Sequence, residues 1–454
     1  MNIIVAGVGK IGLTLARQLS AEENDITVID SSRGALEDCI ERYDVLGVYG
    51  NCSVKDTLVR AGVKDAELLI AVTGSDEINL LCCMTARFIN KNIRTIARIR
   101  NPEFADQIYE MKDAFALFMT VNPEKMAADE IEHLIKFPGF LKLDSFAKGR
   151  AEIVELKIER DSKLCAVRLS NINTIIKCKV LVCAVLRDGR AVMPYGDFIL
   201  TEGDRIFVTA PSENLALLLS SLGIITHKAK KVMLCGGGRI SYYLTEMLHN
   251  KDGISATVID NNTERCVQLA NLLPYANIIR GDASSRSLLE SENISEFDAM
   301  VALTGMDELN VMIALYGANY EVPQVITKLG KMDNNSIHDI LPIGSTVSPR
   351  ELCCNMIVRV VRSMKYKTGA ATSVHFIADG KAEAIEFQVT EETRHCGEPL
   401  KNIRLNKNIL VCCITHRRSI EIPDGNSSFK PGDTVIIATN VENTVYKLND
   451  IFDD

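Results

Sequence analysis

The sequence predicts an α/β fold written twice: a parallel-sheet domain with helices on its faces, then a small, mainly β (α+β) domain, then the same pair again. The first observation is alternation. A strand at Asn2 to Ala6, a helix at Lys10 to Leu19, a strand at Ile26 to Ile29, and a strand at Leu68 to Val72 followed by a helix from Asp76 read as β-α-β units. The second is the change of character after each such region, where "AEIVELKI", "VLVCAVLRDGRAVMP" and "DRIFVTAP" are strands joined by turn signals at Arg187-Asp188-Gly189 and Glu202-Gly203-Asp204. The third is a long internal repeat. Gly7 and Gly9 fall 229 positions before Gly236 and Gly238, "ITVID" ending at Asp30 answers "ATVID" ending at Asp260, and "LLIAVTGSDEINLL" from Leu68 answers "AMVALTGMDELNVM" from Ala299.

Taken in chain order, four domains are expected: 1–137 and 228–366, each a parallel-sheet domain with a connector helix, and 138–227 and 367–454, each a small β domain. Pro123 and Pro349 open the connectors, because proline at a first helical position sacrifices no helical hydrogen bond. Pro138-Gly139 and Lys367-Thr368-Gly369 follow them as turn signals. In the second small domain "EAIEFQV", "ILVCCITHRRSIEIP" and "DTVIIAT" repeat the strands of the first.

Composition narrows the function. The 454 residues are 47% hydrophobic and carry a net charge of −8, with 51 basic side chains mixed among 59 acidic ones. No positive stripe tracks a phosphate backbone, so no nucleic-acid partner is expected. No apolar run approaches the ~18 residues that cross a bilayer, and a cytoplasmic protein is expected. The 14 cysteines include the adjacent pairs Cys82-Cys83, Cys353-Cys354 and Cys412-Cys413 and no C-x-x-C, which reads as buried, reduced thiols with no metal site.

The glycine loops carry the chemistry. In Gly7-Val8-Gly9-Lys10-Ile11-Gly12 the first glycine permits a tight strand-to-helix turn, the second lets a diphosphate approach the backbone, and the third lets helix and strand pack closely. Asp30, at the end of the second strand, is placed to accept ribose hydroxyls and would repel a 2′-phosphate. This is a Rossmann-like, dinucleotide-binding pattern. The second loop, Gly236-Gly237-Gly238-Arg239-Ile240-Ser241, keeps the acid as Asp260 but puts Ser241 in place of the third glycine. The alternative for either loop is a glycine-rich turn that binds nothing. Thr73-Gly74 and Thr304-Gly305 end the fourth strand of each half, suited to lining the dinucleotide, and Arg98 and Lys328 follow the next strand, either pairing with phosphate or simply solvated.

No Tyr-x-x-x-Lys occurs, and none of the seven histidines repeats between halves: His133 aligns near Arg359 and His416 near Arg187. A duplicated dehydrogenase should duplicate its acid/base, so no catalytic residue is assigned. An NAD-dependent oxidoreductase and a scaffold with vestigial clefts are the competing readings.

The order of domains, "VAGVGKIG", the "VTGSDE-N" and "LTGMDE-N" segments, and Gly196-Asp197 with Thr201 to Val208 resemble tandem RCK domains, the regulators of potassium conductance. The resemblance covers essentially the whole chain. It implies a Rossmann-type domain and an RCK C-terminal domain in each half, and assembly into a homo-oligomeric, tetrameric ring. It also implies docking, from the inner face of the cell membrane, on a membrane potassium-translocating subunit of Trk type. NAD or NADH is the implied ligand, with ATP or ADP as competitors. Carried over, Gly7, Val8, Gly9, Lys10, Ile11, Asp30, Thr73, Gly74 and Arg98 contact the first nucleotide. Gly236, Gly237, Gly238, Arg239, Ile240, Asp260, Thr304, Gly305 and Lys328 contact the second. Gly281-Asp282 resembles the family's Gly-Asp near the adenine, where the first half has Gly50-Asn51-Cys52.

Overall fold

The computed structural model describes residues 1–22, 24–146, 150–223, 229–330, 341–365, 371–416, 419–441 and 445–453. Strands β1 (Asn2–Ala6), β2 (Asp25–Asp30), β3 (Leu46–Tyr49), β4 (Leu68–Ala71), β5 (Arg94–Arg98) and β6 (Met119–Val121) form one sheet in the order β3-β2-β1-β4-β5-β6. Every pairing in it is parallel. The crossovers contain helices α1 (Lys10–Ser20), α2 (Arg33–Arg42), α3 (Lys55–Arg60), α4 (Asp76–Ile89) and α5 (Pro102–Glu110). Strand order reverses between β1 and β4, so a crevice opens beyond their carboxyl ends, where Gly7 and Thr73 lie. All four residues of β4 are buried, as expected of a central strand covered on both faces.

Connector α6 (Pro123–Lys136) leads to an antiparallel sheet of β7 (Lys142–Phe146), β8 (Ala151–Lys157), β9 (Leu181–Arg187), β10 (Arg190–Val192) and β11 (Arg205–Pro211), ordered β10-β9-β11-β8-β7. Helices α7 (Ile172–Ile175) and α8 (Leu215–Leu222) belong to this domain. The second half repeats the plan. Strands β12 (Lys231–Cys235), β13 (Ser255–Asp260), β14 (Asn277–Arg280), β15 (Ala299–Ala302), β16 (Gln324–Lys328) and β17 (Ser345–Val347) are ordered β14-β13-β12-β15-β16-β17. Its helices are α9 (Arg239–Met247), α10 (Thr263–Leu272), α11 (Arg286–Ser291), α12 (Asp307–Asn319) and the connector α13 (Pro349–Lys365). Strands β18 (Ala371–Ile377), β19 (Ala382–Gln388), β20 (Ile409–His416), β21 (Ser419–Glu421) and β22 (Thr434–Asn440) then form a sheet ordered β18-β19-β22-β20-β21, the first small sheet's order read from the other edge.

Strands β3, β6, β7, β14, β17 and β18 were not expected from the sequence. All six are edge strands. An edge strand is short or half-solvated and lacks a continuous apolar run; in β3 no residue is fully buried. The expected boundaries after residues 227 and 366, and the Lys367-Thr368-Gly369 turn, lie outside the described residues.

Two compact units emerge. One comprises Met1–Asp129, Gly238–Leu244 and Ser348–Val358; the other comprises Glu130–Gly237, Thr245–Val347 and Arg359–Asp454. Within the first unit, the Cys354 thiol on α13 meets the Ile11 carbonyl of α1 at 3.7 Å. There also Asn122 Nδ2 donates to the Tyr243 hydroxyl at 2.9 Å, and that hydroxyl donates to the Arg100 carbonyl at 3.2 Å. Within the second unit, Gln324 Nε2 on β16 donates to the Leu134 carbonyl of α6, Ser345 Oγ donates to the Phe140 carbonyl at 3.0 Å, and Lys136 pairs with Asp252 at 3.2 Å. Each connector therefore serves the parallel sheet of the opposite half. The two small sheets share a core that includes Cys183, Phe207, Ile377, Cys412 and Ala438.

Candidate nucleotide sites

The first loop contains two kinds of glycine. Gly7 has φ +97°, and a Cβ there would lie 2.9 Å from the Thr73 backbone; a Cβ on Gly12 would overlap the Gly7 carbonyl. The protein's own packing demands both. Gly9 differs. Its φ is −73°, which any residue adopts, and a Cβ on it would meet nothing within 4 Å. Gly74 across the crevice is equally unobstructed. A bare backbone facing open space is suited to a ligand that must come close. The helix behind it is left receptive as well: α2 and α4 are capped by the Ser32 and Ser75 side chains, whereas α1 has no side-chain cap. Its first amides and dipole point at the loop, which fits a diphosphate.

Asp30 holds this loop. Its Oδ2 accepts from Val8 N at 2.6 Å and its Oδ1 from Ser32 N at 2.7 Å. A carboxylate has about four acceptor positions, so capacity remains for ribose hydroxyls. The sequence reading gave the acid one task; the structure adds the shaping of the turn. Val8 and Ile11 have buried side chains and contribute only backbone to the loop surface, the Val8 amide being held by Asp30, while Lys10 is exposed.

The opposite wall is a network around Asn79, which is fully buried. Its Oδ1 accepts from Thr73 N at 2.8 Å and Thr73 Oγ1 at 2.7 Å, and its Nδ2 donates to the Arg98 carbonyl at 2.9 Å. Arg98 Nη2 donates to the Thr73 carbonyl, and burial depresses the guanidinium pKa. Arg98 Nε is buried with no partner among the described residues. Asp76 Oδ2 accepts from Arg100 N at 2.7 Å and Asn101 N at 2.8 Å, and Arg100 Nη2 donates to the Gly74 carbonyl.

The second half reproduces this. Gly236 has φ +118° and its Cβ would crowd the Leu303 backbone at 2.9 Å, whereas Gly238 and Gly305 face open space. Asp260 accepts from Gly237 N at 2.6 Å and Asn262 N at 2.8 Å. Arg265 Nε adds a bond to the Gly237 carbonyl at 2.6 Å, where the first half has Ala35. Asn310 binds Thr304 N at 2.8 Å, Thr304 Oγ1 at 2.7 Å and the Lys328 carbonyl at 2.9 Å, and Lys328 Nζ donates to the Leu303 carbonyl at 3.3 Å. Asn51 and Asp282 make the same turn, each accepting from the backbone and hydroxyl of the serine two residues on. The nine residues expected at the first cleft fall together in the first unit. Of the second set, Gly236, Gly237, Asp260, Thr304, Gly305 and Lys328 fall in the second unit and Gly238, Arg239 and Ile240 in the first.

Asn79, Asn310, Asp76 and Asp307 were not singled out from sequence. Their signal was there: Asp-Glu-x-Asn stands after Thr-Gly in both copies, and a loop-forming spacing repeated in both halves marks a shared structural task. Among the described residues, no cluster of His, Cys, Asp and Glu could hold a metal ion, and no helix is long and apolar enough to cross a membrane.

Residues 3–117 and again 232–349 match the TrkA-N domain, and residues 153–223 match the TrkA-C domain. The chain belongs to the TrkA family. Among TrkA-family proteins, it is 29% identical over 443 residues to the Trk system potassium uptake protein TrkA homolog 1 of Methanosarcina mazei, covering 96% of this chain and 97% of that one. It is 28% identical over 461 residues to the Trk system potassium uptake protein TrkA of Haemophilus influenzae, covering 100% and 98%. Among solved structures, the GsuK RCK domain superposes with a TM-score of 0.62 at 16% identity, covering 97% of this chain and 92% of that one. The GsuK channel bound to NAD superposes with a TM-score of 0.60 at 17% identity, covering 97% and 77%. The fold of this TrkA-family chain is thus the RCK fold in tandem.

Proposed function

We propose that this chain is the regulatory subunit of a potassium uptake system, which binds NAD(H) or an adenine nucleotide in its clefts and gates a membrane potassium-translocating subunit of Trk type. The observation that carries this is the pair of glycines, Gly9 and Gly74, left bare without a conformational or packing reason. The names of the full-length relatives supply the transport system. A sensor role without turnover is favoured because the first compact unit contains no histidine, and Arg98 is engaged with a backbone carbonyl at the cleft. The reading places the chain at the inner face of the membrane through its partner, with domain junctions after residues 137, 227 and 366.

When bound, the nucleotide would bring a diphosphate and a ribose. Gly9, Lys10 and Ile11 offer backbone amides to the diphosphate, the Gly7 and Val8 amides being held by the Ile29 carbonyl and Asp30, and Asp30 accepts the ribose hydroxyls. Thr73 and Gly74 wall the opposite side. Because Asn79 ties Thr73 to the Arg98 carbonyl, displacement of that wall is carried into β5. The connector α13 touches Ile11 within the same unit and continues into the other, so it is the element that relays the change. Such a relay works only if the nucleotide binds the two states with different affinity. Assembly as a tetrameric ring of this chain is part of the proposal, and the exposed apolar stripe of Ile78, Leu81, Met84 and Phe88 along α4, with Phe88 77% exposed, supports it.

Calorimetric titration of the full chain with NADH, with nicotinamide absorbance followed in the same sample, tests the reading. Binding without oxidation, abolished in Asp30→Ala and Asp260→Ala together, is the expected result. Failure to bind NADH, ADP or ATP would overturn it, and oxidation with turnover would establish an oxidoreductase instead.

A further inference from the structure

The first parallel-sheet domain has a second polar cavity, at the end of the strands remote from the glycine loop. It has a volume of about 680 Å³ and lies among the end of α4, the loop into β5 and the loop into β6. Arg87, Lys91 and Arg94 line it, and Asp113 is the sole carboxylate among its lining residues. None of the three cations is ion-paired among the described residues. Two are held in place: Arg87 Nη1 donates to the Ile93 carbonyl at 2.6 Å, and the Arg94 guanidinium lies 5.1 Å over the ring of Phe118.

The wall is built rather than loose. Phe118 N donates to the Thr95 carbonyl at 2.9 Å, Leu117 N to the Lys112 carbonyl at 2.8 Å, and Thr95 Oγ1 donates to the Ala116 carbonyl. Ala116 takes φ +57°, the left-handed region that a residue with a side chain seldom occupies.

The repeat shows that the fold does not need these cations. At the same place the second half has Ala318 for Arg87 and Gln324 for Arg94, and its turn, Tyr320-Glu321-Val322-Pro323, has no lysine. Gln324 is 7% exposed and spends its amide on the Leu134 carbonyl, whereas Arg94 is exposed. Three like charges lining one cavity with a single carboxylate raise one another's electrostatic energy, and a bound anion relieves it.

We propose that this cavity binds a phosphate-bearing anion, separately from the nucleotide clefts. Two guanidinium groups offer the paired N–H geometry that phosphate oxygens accept, Lys91 adds a point charge, and the ring of Phe118 supplies an apolar flank. A soluble phosphorylated compound and the headgroup of an anionic phospholipid share that chemistry.

The test uses the full chain with NADH at saturation, so that the glycine loops are filled. Pyrophosphate is titrated calorimetrically, and co-sedimentation is measured with vesicles of phosphatidylglycerol or of phosphatidylcholine. In Arg87→Ala/Arg94→Gln the response should weaken by about tenfold or more, with NADH affinity unchanged. It should also weaken as salt is raised. Pyrophosphate binding with this mutational loss supports the proposal with a soluble source. Co-sedimentation with phosphatidylglycerol alone, lost in the same variant, supports it with a lipid source. Response to neither probe, or a response that the variant retains, overturns it.

Discussion

Asp204 receives the guanidinium of Arg187 through two parallel hydrogen bonds, Nε to Oδ1 and Nη2 to Oδ2, both 2.7 Å. In the second small domain Asp433 takes the place of Asp204, and its partner is His416, whose Nδ1 lies 2.8 Å from it. An always-charged residue has been exchanged for one that titrates near neutrality. His416 Nε2 also faces Glu421 at 3.0 Å. Glu421 in turn accepts from Ser427 and feels Lys179, which pairs with Asp424 at 3.0 Å.

Burial alone lowers the His416 pKa, but the hydrogen bonds and charges of Glu421 and Asp433 outweigh it and raise the value above that of a free imidazole. Stability from this contact is therefore complete below about pH 6.5 and declines as pH rises through the raised value. Glu421 has the opposite sign. Its pKa is lowered overall, burial being outweighed by Ser427 and His416, so its contribution declines as pH falls through that lowered value. Melting temperature measured against pH should fall on the alkaline side, and His416→Arg should flatten that limb. An unchanged alkaline limb in the variant would refute the assignment.

Gly9 and Gly12 should separate binding from folding. In Gly12→Ala the new methyl collides with the Gly7 carbonyl, at a cost of about 1–3 kcal/mol. Gly9→Ala finds open space and loses only the preference for glycine over alanine at the helix N-cap, about 0.5 kcal/mol. Denaturant melts should show the larger loss of stability in the first variant, while NADH titration should show loss of affinity in both.

Removal of Asn79 strips three hydrogen bonds from a fully buried position. Asn79→Ala leaves the Thr73 amide and the Arg98 carbonyl unpaired and should destabilise by about 1–3 kcal/mol in denaturant unfolding. Asn79→Asp keeps the acceptor but removes the donor and buries a charge against a carbonyl, so it should fare no better. Recovery of wild-type stability by the aspartate would show that the donor side is idle.

Thiol chemistry should follow burial. Cys235 and Cys353 lie in apolar surroundings that push each pKa up to about 12, and both are shielded. Cys165, Cys178 and Cys396 are half-buried and should alkylate first in the native protein. Cys52 should follow, because a hydrogen bond from Cys82 lowers its pKa despite burial. Peptide mapping after brief iodoacetamide treatment reports the order, and early labelling of Cys235 or Cys353 would contradict it.

The central strands, both glycine loops and their acids were legible because each leaves a local signature: a continuous apolar run, a turn that only glycine allows, a carboxylate at a strand end. Edge strands such as β3 leave none, since solvent on one side removes the pattern that reveals them. Asn79 was hidden for another reason. A polar residue in a helix reads as surface, and its burial follows from what Thr73 and Arg98 require. The partners of the connectors were likewise illegible, for an amphipathic helix announces that one face is covered without saying by what.

The division of α6 and α13 between the compact units bears on how the molecule is made. The unit that begins at Met1 also contains Ser348–Val358, so its packing is completed only late in translation, after most of the other half has left the ribosome. A protein cut between its halves would leave two fragments, each holding the helix that its sibling lacks. Mixing the fragments should restore what neither has alone. That is the arrangement of a helix-exchanged pair of half-length chains, joined end to end into one duplicated polypeptide.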